Sequence, residues 1–273
     1  MKNILKSIFI SSFPLLALFI FLSTILKEGI HPKSIGTLII SLIISLFFSL
    51  LFIKPVARTD KFLFSYSIPI SIGFILNLLF FNWQYFTTSF ILALGWTLYL
   101  TWYSAFTSRD SSILELGKTL PNLTFENHQK ELISLASLSG DFKVILFFRG
   151  NWCPLCMAQI KEIADDYILL KKRNIDVVLV SSQSHKNTEN LAKKHKVPFH
   201  FLIDKDNRVA KNLNIIHKNG LPMGFQVFGY KSDVILPTLI IINKVNEIIF
   251  TDLTDNYRVR PEPATFLKII DNY

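Results

Sequence analysis

Apolar and polar positions divide this chain into two textures. Up to about residue 107, long apolar runs alternate with short polar breaks, and beyond it brief apolar runs alternate with amphipathic stretches and dispersed charge. A helix needs about 20 apolar residues to cross the hydrocarbon of a bilayer. Four stretches meet that length, at residues 8–26, 35–53, 62–81 and 87–107. None carries a charged side chain in its interior, where each ion costs roughly 2.5 to 3.5 kcal/mol on insertion scales. Between Phe62 and Ser108 there is no charge at all, too long an interval for one crossing. A tight hairpin is therefore expected near Asn82, Trp83 and Gln84, with Trp83 and Tyr85 at the headgroup level.

The second half reads as strands alternating with helices. Residues 143–148 are a short β-rich apolar run, and residues 154–172 follow with helical spacing in Ile160, Ile163, Tyr167 and Leu170. Residues 175–181 give a second strand and 187–196 a polar helix. Strand, helix and strand in this order make a parallel unit with a buried sheet. A third strand is expected at 199–203, with a turn at 204–207 and a short helix through Ala210 and Leu213. Residues 239–243 and 248–251 read as a hairpin, and a last helix runs over 263–270 with Pro261 and Pro263 at its start. The fold class expected is an α-helical transmembrane region over 1–109 followed by an α/β domain over 110–273.

Composition and charge fit that division. Half of the 273 residues are hydrophobic, more than an ordinary soluble domain carries. The formal net charge is +9, a balance that raises the question of nucleic acid. However, the basic excess of the first 109 residues, eight Lys or Arg against two Asp or Glu, sits beside the apolar runs. Membrane topology accounts for it, and no nucleic-acid partner is expected. Lys2, Lys6, Lys54, Arg58, Lys61 and Arg109 fall on one side of four crossings, and Lys27 and Lys33 on the other. The positive-inside rule then puts the C-terminal domain on the cytoplasmic side of a multi-pass protein. The first apolar run is longer than a signal-peptide core, and no small-residue cleavage site precedes Lys27 and Glu28. Pro14 and Pro69 are tolerable kinks inside crossings, and Ser41, Ser45 and Ser49 share a helix face suited to close packing. No Asp, Glu or His lies inside a crossing, which argues against an ion pathway.

The chain has two cysteines, Cys153 and Cys156, within Phe-Arg-Gly-Asn-Trp-Cys-Pro-Leu-Cys-Met. With no further cysteine there is no disulfide framework, so the pair concerns chemistry. A sulfur on the first turn of a helix gains from free backbone N–H groups and the helix dipole, and Cys153 stands there. Pro154 suits the first helical position. Cys156, almost one turn on, is placed to attack a mixed disulfide formed by Cys153. Arg149 is expected to add charge near the thiolate and Trp152 to shield the pair, although a solvated strand-end charge explains Arg149 equally well and a tryptophan in such a place more often packs than takes part in catalysis. Half of a zinc site is the competing reading of Cys-x-x-Cys, but no second pair exists, and His185, His195 and His200 lack ligand spacing. Haem attachment needs His where Met157 stands. No metal or cofactor is expected beyond an external thiol reductant.

The run Arg-Gly-Asn-Trp-Cys-Pro-Leu-Cys between strand and helix resembles the thioredoxin fold, and more narrowly the peroxiredoxin-like members of the alkyl hydroperoxide reductase and thiol-specific antioxidant (AhpC/TSA) family. Residues 120–138 resemble that family's opening hairpin and first helix. Residues 197–215 resemble its central strand and following helix, and Tyr-Arg-Val-Arg-Pro-Glu-Pro at 257–263 resembles its tail. The resemblance covers about 116–273 and leaves the membrane region outside. It implies a central mixed sheet flanked by helices. It also implies that Leu236, Pro237 and Thr238 form a cis-proline loop facing the dithiol, with Pro237 presenting backbone to a partner. Two departures stand out. Phe147 occupies the place of a buried carboxylate six residues before Cys153, and Arg149 and Cys153 stand where peroxiredoxins have a Pro and a Thr or Ser ahead of the peroxidatic cysteine, matched here by Cys156.

The function expected is a membrane-anchored thiol–disulfide oxidoreductase acting on a protein or small-molecule disulfide, with Cys153 as nucleophile, Cys156 as resolving thiol and the lipid bilayer as its setting. The alternatives are a peroxiredoxin-like antioxidant peroxidase with Cys156 attacking a peroxide, and a tethered binding module without turnover.

Overall fold

Apolar runs free of charge fold as helices that bury their faces on one another: α1 (Lys2–Lys27), α2 (Ile35–Ile53), α3 (Phe64–Leu79) and α4 (Trp83–Leu98). The computed structural model describes residues 2–106, 110 and 112–273. α2 lies centrally, packed on α1, α3 and α4. A methyl group added to Gly36 would run into the Gly73 carbonyl, so α2 and α3 touch backbone to backbone. α1 and α2 are long and apolar enough to cross a membrane by length and composition. α3 and α4 have 16 residues each, and α4 runs directly into a π-helical turn, Tyr99–Tyr103. The expected hairpin forms: the Asn82 side chain caps α4 by accepting from the N–H groups of Gln84 and Tyr85. In α2, the Ser41 and Ser45 hydroxyls donate one turn back to the Thr37 and Ser41 carbonyls, each at 2.7 Å. Thr107, Ser108 and Arg109, the expected end of the fourth run and its flanking cation, lie outside the described residues.

Among the described residues nine strands follow: β1 (Thr124–Glu126), β2 (Leu132–Ser134), β3 (Phe142–Phe147), β4 (Ile175–Ser181), β5 (His200–Ile203), β6 (Ile216–His217), β7 (Val234–Ile235), β8 (Thr238–Asn243) and β9 (Ile248–Asp252). Seven of them make one sheet in the order β2-β1-β5-β4-β3-β8-β9. β3, β4 and β5 are parallel, while β8 runs antiparallel to β3, β9 to β8 and β1 to β5. The helices are α5 (Pro154–Asp165), α6 (Tyr167–Lys172), α7 (His185–His195), α8 (Arg208–Asn212) and α9 (Pro263–Asp271). Both sheet faces are covered, which is why β3 and β4 read as continuous apolar runs instead of alternating ones. One core joins Val144 and Leu146 to Ile160, Ile163 and Phe266; the other joins Ile145 and Phe147 to Val180 and Leu213. This is a thioredoxin-like α/β domain with a mixed central sheet flanked by helices.

Two expectations are corrected, and one small sheet is added. The helix read over 154–172 breaks at Asp166, whose backbone (φ −88°, ψ 10°) leaves the helical region. Residues 120–138 contain the hairpin β1–β2, but the helix expected after it is only the 3-10 turn Leu135–Ser137, because Gly140 and β3 follow too soon for another turn. The two-residue strands β6 and β7 form a second small sheet and frame a loop with its own 3-10 turn, Phe225–Phe228. Strands that short carry no alternation to read.

The bundle and the sheet domain share one core, continuous from Phe48 and Tyr99 through Tyr257 to Cys153. A fully buried arginine fastens the junction. Arg258 donates from Nε to the Ser104 hydroxyl (2.8 Å), from Nη1 to the Thr59 hydroxyl (2.9 Å) and Asp60 carbonyl (2.8 Å), and from Nη2 to the Lys61 carbonyl (2.8 Å). Its guanidinium carbon lies 5.5 Å from the centre of the Tyr99 ring, and the Tyr99 and Tyr257 hydroxyls meet at 2.7 Å. Replacing Arg258 by Leu leaves these part-buried carbonyls without their arginine donor and is expected to cost about 3 kcal/mol. Denaturant unfolding of the purified full chain measures this, and an unchanged midpoint would show that the clamp is dispensable.

Candidate active site

The site begins where β3 ends. The Phe148 N–H still reaches the Val180 carbonyl (2.9 Å), and then the chain turns at Gly150, whose φ of +141° and contact with the Trp152 ring exclude a side chain. The Asn151 N–H donates to Gln183 Oε1 (2.9 Å), and Asn151 Nδ2 to the Asn187 carbonyl (2.8 Å), tying the turn to α7. The Cys153 N–H closes the turn on the Gly150 carbonyl (3.1 Å), and the Cys153 carbonyl accepts the first helical bond from Met157 (3.1 Å). Cys153 is therefore the N-cap of α5, with Pro154 in its first turn, as expected. The spacing of three brings Cys156 onto the same face, and the two sulfurs lie 2.8 Å apart as free thiols. Cys153 is 2% exposed and Cys156 fully buried.

The charge beside the sulfurs comes from a residue that the sequence reading did not select. Arg260, in the segment between β9 and α9, is buried and donates from Nε to the Tyr257 carbonyl (3.0 Å). Its Nη1 reaches both Gln159 Oε1 (2.9 Å) and Cys156 Sγ (3.5 Å). Its Nη2 has no hydrogen-bond partner among the described residues. Burial opposes a charge on Cys156. The hydrogen bond from the Cys153 thiol, the Arg260 guanidinium and the Arg149 backbone N–H outweigh it and hold the Cys156 thiol well below its usual range. Burial and the neighbouring Cys156 push the Cys153 thiol well up. The thiolate expected on Cys153 thus rests on Cys156, because burial removes the water that would support the first sulfur while a fixed cation supports the second. Burial likewise pushes the Tyr257 hydroxyl up, so it stays neutral.

Arg149 is not the solvated strand-end charge that sequence position suggests. It is buried, stacks over the Trp152 ring at 4.6 Å and donates from Nη2 to the Gly220 carbonyl. Trp152 packs edge-on against Phe225 at 6.0 Å, and both rings line the cavity that Cys153 also lines. Pro237 sits at the sheet end beside the dithiol loop, one step beyond the Phe147–Thr238 pairing of β3 and β8. Its peptide bond is trans, since the described residues hold no cis bond. The Leu236 N–H is fixed by the Ile215 carbonyl (2.7 Å) and its carbonyl by the Thr238 hydroxyl (3.1 Å). The ordinary X-Pro isomer therefore meets the pairing without the roughly 0.5 to 1 kcal/mol that cis costs. The loop holding Phe225 is pinned by α1: the hydroxyls of Ser7 and Ser11 donate to the Leu221 and Met223 carbonyls.

Comparison with known proteins finds similarity in the sheet domain. Residues 116–251 match the model of the AhpC/TSA family. It is 31% identical over 99 residues to the chloroplastic peroxiredoxin Q of Sedum lineare, covering 36% of this chain and 53% of that protein. It is 32% identical over 120 residues to the thiol-disulfide oxidoreductase ResA of Bacillus subtilis, covering 44% and 64%. The chain spans about half the length of the curated relatives it first matches. Among solved structures, peroxidoxin BcpB from Mycobacterium tuberculosis aligns over 58% of this chain and 97% of its own, with 13% identity and a TM-score of 0.48. The relatives are peroxiredoxins and thiol-disulfide oxidoreductases, all oxidoreductases.

One thiolate per reduced pair should therefore persist, by ultraviolet thiolate absorbance, at pH values where an ordinary thiol is protonated, and vanish as pH falls through the depressed Cys156 value. Because the folded value is the lower one, the linked stability is complete above the unfolded thiol value and is lost over the same fall. Arg260→Met is expected to move the midpoint up by roughly 1 to 3 units. An unmoved midpoint would assign the charge to another source.

Proposed function

We propose that this chain carries an AhpC/TSA family domain and is a membrane-anchored thiol–disulfide oxidoreductase in which Cys153 exchanges with substrate and Cys156 resolves. One observation carries the reading: the sulfurs sit 2.8 Å apart, with only Cys153 lining the adjoining cavity and Cys156 facing Arg260. When the pair is oxidised, an incoming thiolate attacks Cys153, and Cys156 departs as the thiolate that Arg260 stabilises. A leaving sulfur of low pKa leaves faster. In the reverse direction the proton of Cys153 crosses to Cys156, Cys153 attacks the substrate disulfide, and Cys156, once ionised again, displaces the product. Trp152 and Phe225 keep water from the mixed disulfide, Pro154 sets the helix start and Arg149 holds the covering loop.

A peroxidase reading has one observation in its favour, the lowered thiol of Cys156 beside a buried guanidinium, which suits a peroxide-attacking thiolate. Sulfenic acid trapped on Cys156 in a Cys153→Ser protein under low peroxide selects that reading. The binding-module alternative requires a pair that does not turn over. The membrane anchor is supported by the two long apolar helices, with α3 and α4 completing four crossings in this reading. The basic residues near Lys2, Lys54 and Lys61 support a cytoplasmic domain.

Two outcomes test the proposal. Cys156→Ser should accumulate a mixed disulfide on Cys153 with a small aromatic disulfide, while Cys153→Ser abolishes exchange; full exchange without Cys153 would end the proposal. The full chain should remain with membranes through an alkaline carbonate wash, and release into the supernatant would remove the anchor.

A further inference from the structure

The route to Cys153 runs beside the two longest apolar helices. A cavity of about 490 Å³ lies between α1, α2 and the sheet domain, within the range of pockets that take a single small molecule. Cys153, Trp152 and Phe225 on the domain side face Leu18 of α1 and Phe48 and Phe52 of α2. Leu15, another lining residue, is 67% exposed and Phe52 59%. The cavity thus opens sideways onto the apolar outer surface of the helices, where lipid would stand. Cys153 itself is 2% exposed, so a folded polypeptide does not reach its sulfur.

Three features narrow what enters. The walls nearest the sulfur are flat and aromatic, which suits a planar ring more than a bare acyl chain. Arg149, a lining residue, keeps a buried Nε without an acceptor among the described residues, a donor that a carbonyl oxygen would satisfy. The lining is overwhelmingly apolar, so chemistry that leaves water behind at each turnover, as peroxide reduction does, is poorly accommodated. We propose that the cavity binds a lipid-tailed quinone, entering laterally from the bilayer between α1 and α2, and that the dithiol reduces it there. This rests on the reading of the chain as a membrane-anchored redox protein. A sulfur–sulfur bond forms between Cys153 and Cys156, and two electrons pass to the ring. The ring oxygens take up two protons, one from the Cys153 thiol and one from solution, because Cys156 starts ionised. Hydroquinone and disulfide are the products, and the external thiol reductant restores the dithiol.

The test uses the full chain in lipid nanodiscs, reduced with dithiothreitol, desalted and mixed without oxygen with decylubiquinone, while free thiols are counted by mass after maleimide blocking. Loss of two thiols per quinone reduced is the expected result. Leu18→Trp and Ser49→Trp, which fill the cavity from α1 and α2, should each slow the reaction by at least about tenfold. Leu46→Trp, on an exposed part of α2 outside the cavity, should not. Diamide, a soluble thiol oxidant, separates the two levels of argument. Oxidation by diamide but not by the quinone overturns the inference and leaves the redox reading standing, whereas a pair inert to both removes the redox reading itself. Faster oxidation by linoleic acid hydroperoxide than by decylubiquinone, or unaltered rates in both filling variants, also overturns the inference.

Discussion

A guanidinium cut off from water cannot shed its proton, so it must find negative charge or carbonyl oxygens, and the architecture at the junction follows from that requirement. Arg258 and Arg260 stand two residues apart in a short segment, and both are buried. Arg258 is satisfied by hydroxyls and carbonyls of the bundle and its connections. Arg260 has Gln159, the Tyr257 carbonyl and the Cys156 sulfur, with one nitrogen left over. Ionised Cys156 completes its surroundings. Two arginines thereby hold the helices, the sheet end and the dithiol in one unit, and the same contacts that fasten the fold set the protonation of the pair.

Much of this fold was legible in the chain. β4 matches the run read over 175–181, and β3, β5, β8, β9 and α9 fall within a residue or so of their expected bounds, because short apolar strand runs and a Pro-led helix leave strong local signals. The hairpin at Asn82 was legible for a similar reason, a polar cap between two apolar runs. The break at Asp166 was not, since the apolar spacing continues across it and a single residue leaves the helix. The strands β6 and β7 escaped because two residues carry no period.

The site was half legible. Cys153, Pro154 and Cys156 announce themselves by spacing, and Trp152 packs where expected. Arg260 lies about a hundred residues further on, and no spacing rule joins it to a dithiol. Its one signal was an arginine followed by two prolines in a tail that resemblance alone had marked. The placement of charge on the pair also depended on long-range contact, because the helix-start argument for Cys153 holds only while water reaches the sulfur. The trans bond at Pro237 shows the same limit, as the hydrogen bonds that settle it come from Ile215 and Thr238.

The two serines of α1 that hold the loop over Cys153 belong to the first dozen residues, far from the dithiol in sequence. A trimmed protein beginning after the helices would keep the sheet and both sulfurs but lose these anchors and one wall of the cavity. Its dithiol would meet bulk solvent where the intact chain keeps Cys153 almost wholly covered. The cover over Cys153 is therefore a property of the helices and the sheet domain together, shared between parts that the sequence separates by about 200 residues.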